Sequence, residues 1–122
     1  NIIGISIARR NPRGINIVKN KCEQLADLFE FDIKINSTMI DFRDNWIGEG
    51  YGFGNLKTKE VINNLASYEG IILDPTYTGK AFTGLIDLIN NKDIRRGSRV
   101  LFWHTGGLLN LMASEYIWDE TQ

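Results

Sequence analysis

Two short clusters of hydroxyl-bearing residues and glycines are the parts of this sequence best suited to chemistry. The DPTYTGK cluster (residues 74–80) contains the phenol of Tyr77, and the FWHTGG cluster (residues 102–107) follows it along the chain. Each cluster closes a short apolar run and opens a helical pattern. In an open α/β sheet, ligands bind at that junction, because backbone N–H groups and a helix dipole meet there. A phenol at such a site can transfer a proton if nearby charge or hydrogen bonds lower its pKa.

The residues alone leave two interpretations open for each reactive side chain. Tyr77 is either a proton-transfer group or a tyrosine that caps the edge of a strand. His104 is either a catalytic base or a hydrogen-bonded structural residue, and its position directly after a buried strand favours the second. Cys22 falls in the apolar stripe of a predicted helix, so a small core residue is favoured over a reactive thiol.

Several other kinds of site find no support in the sequence. A zinc site needs clustered cysteine and histidine, and the chain has one of each, far apart. The GxGxxG, GxxxxGK[ST] and GxSxG patterns are missing, and Phe53 stands where the third glycine after Gly48 and Gly50 would be. A flavodoxin-like or other nucleotide-binding unit would need a phosphate loop that we do not find.

The elements that position the clusters follow from the spacing of apolar residues. Continuous apolar runs favour strands of a parallel sheet, and steps of three and four favour helices. Strands are predicted at 2–7, around 33–35, at 71–73 and at 100–103. Helices are predicted at 15–29, at 58–68 with Thr58 as N-cap, at 81–89, and from Leu108 to Ile117. Between them lies the glycine loop (residues 48–54), either a linker or a binding segment. The order predicts an α/β fold, a parallel twisted sheet with flanking helices.

Composition limits the partners that the chain can attract. Fourteen basic and 15 acidic residues give a net charge of −1, which favours neither nucleic acid nor an anionic membrane. Arg9 and Arg10 are expected to be a solvated strand end. One cysteine excludes an internal disulfide, and no apolar run approaches the length of a membrane span, so cytoplasm is the expected location.

The segments DPTYTGKAFTGLIDLI, VLFWHTGG and Gly50-Tyr51-Gly52 resemble the carboxyl-terminal part of a known family. That family is the D-cysteine desulfhydrases and 1-aminocyclopropane-1-carboxylate deaminases, fold-type II pyridoxal-phosphate enzymes related to the tryptophan synthase β subunit. The resemblance implies that residues 1–122 are the C-terminal part of the larger, cofactor-binding domain. A start at Asn1, with strand-like residues from the second position, also leads us to expect a fragment.

The resemblance implies roles for particular residues. Tyr77 and Tyr51 would be catalytic, and Thr78, Thr105 and Gly106 would bind pyridoxal 5'-phosphate. In the deaminase branch the position of Thr78 is a glutamate, which keeps the pyridine nitrogen protonated and strengthens the electron sink. A neutral hydroxyl there favours β-elimination over ring opening. Without the resemblance, Thr105 is equally a simple N-cap and Tyr51 an anchor for its loop.

The implied reaction is removal of the α-proton from a small amino acid, loss of a β-substituent such as sulfide, and release of pyruvate and ammonia. D-Cysteine is the leading substrate. The alternatives are a deaminase of the 1-aminocyclopropane-1-carboxylate type or for another small amino acid, and a non-catalytic α/β binding module. Lys80 is excluded as the covalent anchor of the cofactor, because the family's lysine lies well upstream. The expected partners are therefore the substrate, the remainder of the enzyme chain and a second copy in a homo-oligomer, and this chain alone is expected to be inactive.

Overall fold

A computed structural model of the chain describes residues 1–114. In chain order the elements are β1 (Ile3–Ile5), α1 (Arg13–Leu28), a 3₁₀ turn (Ser37–Met39), β2 (Asp41–Arg43), α2 (Leu56–Glu69), α3 (Thr78–Asn90) and α4 (Leu108–Met112). The two strands pair in parallel. The predicted α/β class, with a parallel sheet and flanking helices, is confirmed. None of the helices in this part of the chain combines the length and apolar character that crossing a membrane requires.

The four predicted helices are present, with differences at their ends. Asn55, not Thr58, is the N-cap of α2: the Asn55 side chain accepts a hydrogen bond from the Thr58 N–H at 2.8 Å. Thr58 lies in the first turn and is buried. Gly70 ends α2 in the left-handed region at φ 68°, which glycine adopts without steric cost. The predicted contribution of Ile117 to the last helix lies outside the described residues.

Three of the predicted strands are not formed as strands. Residues 33–35 are irregular, and β2 forms later, at Asp41–Arg43. Residues 71–73 and 100–103 also form no strand in the described part of the chain. A strand is stabilised by hydrogen bonds to a neighbouring strand, and these two segments have none within residues 1–114. These segments therefore have the apolar residues of strands but not the hydrogen-bonded neighbours that strands require.

The buried side of α1 also differs from the prediction. Gly14 and Ala26 are buried, whereas Leu25 and Phe29 of the predicted apolar stripe are exposed. Cys22 is half-buried. Gly14 lies against the ring of Phe42, and a side chain there would overlap that ring. Close contact with Phe42 thus excludes a side chain at this position of α1.

Helix α3 is the centre of the packing. On one side Gly84 lies against β1, where a Cβ atom would be 2.5 Å from Ile5 Cδ1 and 3.0 Å from the ring of Trp46. On the other side Gly79 lies against α2, where a Cβ atom would be 2.8 Å from Ile62 Cδ1. Both glycines allow the neighbouring elements to approach the helix closely. This packing fixes the position of the N-terminus of α3, which carries the DPTYTGK cluster.

Asp87 of α3 holds the segment between β2 and α2 against the helix. Its carboxylate accepts hydrogen bonds from Trp46 Nε1 at 2.8 Å and from Lys57 Nζ at 2.6 and 2.8 Å. Burial alone would raise the pKa of Asp87, but the hydrogen bonds from Lys57 and Trp46 and the charge of Lys57 outweigh it and lower the pKa below its ordinary value of 3.8. The ionised carboxylate is therefore the form that the fold stabilises.

Stability should fall at acid pH partly through Asp87. The pKa of Asp87 is lower in the folded chain than in the unfolded chain. Its contribution to the free energy of unfolding is therefore fully present above the ordinary pKa of 3.8 and is lost as the pH falls through the folded-state pKa. Asp87→Asn should cost about 1 kcal/mol at neutral pH, a figure discounted for the exposure of Lys57. Urea unfolding of the wild type and of Asp87→Asn between about pH 6 and pH 2 measures this difference in the free energy of unfolding.

The difference between the wild type and Asp87→Asn should shrink as the pH falls. Asp41 also has a lowered pKa, because Arg43 donates a hydrogen bond to it, so both proteins should still lose stability in acid. A difference that stays constant across this range would mean that the ionisation of Asp87 does not stabilise the fold.

Candidate active site

The carboxylate of Asp74 organises the turn that leads into α3. Asp74 is 1% exposed and accepts hydrogen bonds from the backbone N–H groups of Thr76 at 2.9 Å, Tyr77 at 2.8 Å and Thr78 at 2.8 Å. The hydroxyl of Thr78 donates to it at 2.7 Å and accepts from the Asp74 N–H at 3.0 Å. These bonds satisfy N–H groups that a helix N-terminus leaves without partners. They also fix the direction in which Tyr77 leaves the turn.

The structure brings together the two predicted catalytic tyrosines. The hydroxyl groups of Tyr51 and Tyr77 form a hydrogen bond, although the residues lie 26 positions apart. Their rings meet edge to face, with centroids 5.7 Å apart and planes at 70°. Tyr77 is half-buried, whereas Tyr51 is 57% exposed at the tip of the glycine loop. A molecule bound over the DPTYTGK cluster could therefore reach both phenols.

The hydrogen bond to Tyr77 raises the pKa of Tyr51. Partial burial and the neighbouring charges of Tyr77 and Asp74 act in the same direction. Either hydroxyl can be the donor of this hydrogen bond. The contact therefore joins the two phenols at one point of the site.

The FWHTGG cluster lies against the first cluster. Gly107 has a φ of 109° and caps α4, and a side chain at this position would overlap the carboxylate of Asp74. Thr105 is therefore not the N-cap of α4, and its side chain is exposed. Gly106, with φ 102°, borders open space. Thr78 is buried and bonded to Asp74, so the two predicted cofactor-binding threonines differ in exposure.

His104 connects the FWHTGG cluster to the segment that precedes the DPTYTGK cluster. Its Nδ1 accepts a hydrogen bond from the Gly106 N–H at 3.2 Å, and its Nε2 lies 2.9 Å from the carbonyl oxygen of Ile72. Since Nδ1 is the acceptor, the proton is on Nε2 and is donated to the carbonyl. Both nitrogens are engaged, as the structural interpretation of His104 predicts.

Sequence reasoning missed two buried charged residues at this site. Asp74 was visible only as the first residue of a turn, although an aspartate shortly before a helical pattern is a recognised N-cap signal. Lys80 was assigned to the start of the helix, where it does lie, but it is buried and donates to backbone carbonyls of Ile47 and Gly50. No local pattern indicates this long-range contact. Within residues 1–114, no three Asp, Glu, His or Cys side chains are grouped so that they could hold a metal ion.

Comparison with known proteins identifies relatives of the chain. No family model matches it. D-cysteine desulfhydrase of Salmonella paratyphi C is 40% identical over 108 residues, which are 88% of this chain and 31% of that protein. A putative 1-aminocyclopropane-1-carboxylate deaminase of Thermotoga maritima is 33% identical over 113 residues, which are 92% of this chain and 34% of that protein.

Over about nine tenths of its residues, the chain is similar to D-cysteine desulfhydrases and 1-aminocyclopropane-1-carboxylate deaminases. It spans about a third of the length of the curated relatives that it matches. A solved structure of a 1-aminocyclopropane-1-carboxylate deaminase homologue covers 87% of the chain with a TM-score of 0.76 and 32% identity, and the match takes in 31% of that structure. The α/β fold and the resemblance found in the sequence thus agree with known members of this enzyme family.

The Asp74–Thr78 contact should make a measurable contribution to the free energy of unfolding of this chain. Thr78→Val keeps the shape of the side chain but leaves the buried Asp74 N–H without its acceptor and removes one donor from the carboxylate. We expect a loss of about 1–3 kcal/mol in the free energy of unfolding, measured by urea denaturation. Thr38→Val, at an exposed position, is the control and should change stability by less than about 0.5 kcal/mol. Equal stability of Thr78→Val and the wild type would contradict the role of this hydroxyl.

Proposed function

We propose that this chain forms one side of the active site of a pyridoxal-phosphate-dependent lyase. The reaction is α,β-elimination on a small amino acid, with D-cysteine as the leading substrate. The observation that carries the proposal is the hydrogen-bonded pair of Tyr51 and Tyr77 at the end of the DPTYTGK turn. The 40% identity to a D-cysteine desulfhydrase supports the choice of reaction.

The side chains around the two clusters fit one edge of pyridoxal phosphate. Thr105 offers an exposed neutral hydroxyl, and Gly106 beside it borders open space, so a flat ring can approach the backbone there. Thr78, next to Tyr77, is also neutral, but it is buried and its hydroxyl is bonded to Asp74 in both directions. When bound, the cofactor would accept the negative charge that proton loss leaves at the α-carbon. Lys80 does not suit its covalent attachment, because its Nζ is buried against two carbonyls.

Tyr77 is the proposed proton-transfer group. Its hydroxyl is hydrogen-bonded to that of Tyr51, so its oxygen is held in position from the glycine loop. A phenol held at such a site can take up or return a proton at the substrate. Asp74 supports this role, since its bond to the Tyr77 N–H fixes the backbone from which the phenol projects.

Thr78 is the residue that favours elimination over ring opening. Its hydroxyl is neutral, and its proton is already donated to Asp74. It cannot hold a pyridine nitrogen protonated as a carboxylate would, so the electron sink stays weaker. Expulsion of a good leaving group such as sulfide needs less stabilisation than opening a cyclopropane ring. Because the relatives carry both names, deamination of 1-aminocyclopropane-1-carboxylate is the second candidate.

Substrate specificity tests the proposal in a protein that joins this chain to the remainder of the enzyme. From D-cysteine and water, pyruvate, ammonia and hydrogen sulfide should form in equal amounts. From 1-aminocyclopropane-1-carboxylate, product should form at least about 100-fold more slowly, which is the loss expected when the proton-transfer groups do not fit the substrate. Coupled assays for pyruvate, sulfide and 2-oxobutyrate measure all three. Formation of 2-oxobutyrate alone would support the deaminase, and no product from either substrate would support a non-catalytic module.

Replacement of Tyr77 tests the mechanism. Tyr77→Phe should lower kcat by at least about 100-fold, because the proton-transfer group is removed while the ring remains. The absorption spectrum of the bound cofactor should be retained. Tyr68→Phe is the matched control, since Tyr68 is 80% exposed on α2. Unchanged turnover in Tyr77→Phe would show that Tyr77 is structural.

A further inference from the structure

Lys80 is a charged residue that the proposed reaction does not use. Its side chain is 0% exposed and is among the largest fully buried side chains within residues 1–114. No carboxylate in that part of the chain lies within ion-pair distance of it; the ion pairs there join Lys19 to Glu23, Arg43 to Asp41 and Lys57 to Asp87. Burial of an ammonium group costs free energy unless its protons are bonded. A lysine in this position therefore needs a specific set of acceptors.

The acceptors are two backbone carbonyls at the start of the glycine loop. Nζ of Lys80 donates to the carbonyl oxygen of Ile47 at 2.8 Å and to that of Gly50 at 2.6 Å. Hydrogen bonds from a charged donor are shorter and stronger than neutral ones. Together they hold both ends of the segment 47–50, whose glycines Gly48 and Gly50 have φ values of 66° and 140°. A segment with such freedom keeps one conformation only where it is held.

The residue after Gly50 is Tyr51, whose hydroxyl contacts Tyr77. Lys80 and Tyr77 both lie at the N-terminus of α3, as its first-turn residue and its N-cap. The same turn of helix thus carries one tyrosine directly and fixes the other through a buried ammonium group. We propose that Lys80 is a positioning residue that anchors the glycine loop and thereby sets Tyr51 on Tyr77, an inference that rests on the proposed function of this pair.

The ammonium group suits this task better than a neutral donor. It presents several N–H bonds from one atom, so it can bridge two carbonyls that belong to one loop. Desolvation by burial lowers the pKa of Lys80 below its ordinary value. The two carbonyls offset part of that desolvation.

Hydrogen exchange of this chain tests the anchor without any assay of activity. Lys80→Met keeps the length and apolar stem of the side chain but removes the donors. Exchange of the amides at 48–54 should rise at least roughly tenfold, because two charge-assisted bonds are lost. Exchange in the middle of α1 and α2 should stay unchanged. Lys21→Met, which removes an exposed lysine from α1, is the control and should leave the loop as it is.

Two results would overturn the anchor. One is unchanged exchange of the loop in Lys80→Met, and the other is an equal rise throughout the chain, which indicates a general loss of stability. If Lys80→Met does not fold, Lys80→Gln keeps one amide donor and should show a smaller rise confined to the loop. Exchange of the loop that stays unchanged in Lys80→Gln would then overturn the anchor.

A double-mutant cycle shows whether Lys80 acts through Tyr51 or independently of it. It is measured in the protein that joins this chain to the remainder of the enzyme. Tyr51→Phe and Lys80→Met should each lower kcat, and the double variant should be no slower than about the slower single variant, because both changes break the same contact. Additive losses would mean that Lys80 acts independently of Tyr51. If the enzyme proves to have a different substrate, the exchange result still decides the role of Lys80.

Discussion

The buried carboxylate of Asp74 is the interaction on which the site depends. Four hydrogen bonds converge on it from Thr76, Tyr77 and Thr78, and Gly107 of the second cluster approaches it so closely that no side chain fits between them. A buried carboxyl group is tolerated only when such donors surround it. Because three of the donors are backbone groups, this side chain fixes the course of the chain. The first turn of α3 and the FWHTGG cluster therefore take their relative positions from one side chain.

Lys80 is the cationic counterpart of this arrangement, six residues further along the chain. It is also fully buried and also bonded to backbone groups, in this case the carbonyls of Ile47 and Gly50. Asp74 organises the segment on the N-terminal side of α3, and Lys80 organises the loop that passes over it. Neither forms an ion pair with the other in the described part of the chain; each is held mainly by hydrogen bonds to backbone groups. This division explains how a helix end can fix two tyrosines that lie 26 positions apart.

The sequence alone predicts the helices and the identity of the site, but not the contacts that hold the site together. Apolar spacing is a local signal, so α1, α2 and α3 appear close to their predicted bounds. The choice of Tyr51 and Tyr77 as site residues follows from a family resemblance and not from spacing, and their hydrogen bond is found only in the structure. The burial of Lys80 depends on carbonyls about thirty residues away, and no residue type marks a carbonyl that will accept a bond. The N-cap of α2 was misplaced by three residues, because Asn55 and Thr58 are both suitable cap residues.

The missing strands have a different cause. Residues 71–73 and 100–103 carry the apolar pattern of strands buried on both faces, yet Leu101 is 88% exposed and Trp103 is 80% exposed. Burial of apolar side chains stabilises a fold by on the order of 25 cal/mol per Å² of surface removed from water. Leu101 and Trp103, being exposed, contribute little of this stabilisation. The relatives are about three times as long as the matched region. A remainder of the enzyme that packs on this surface would supply both the neighbouring strands and the apolar cover, and the exposed face of the clusters would then border the proposed active site.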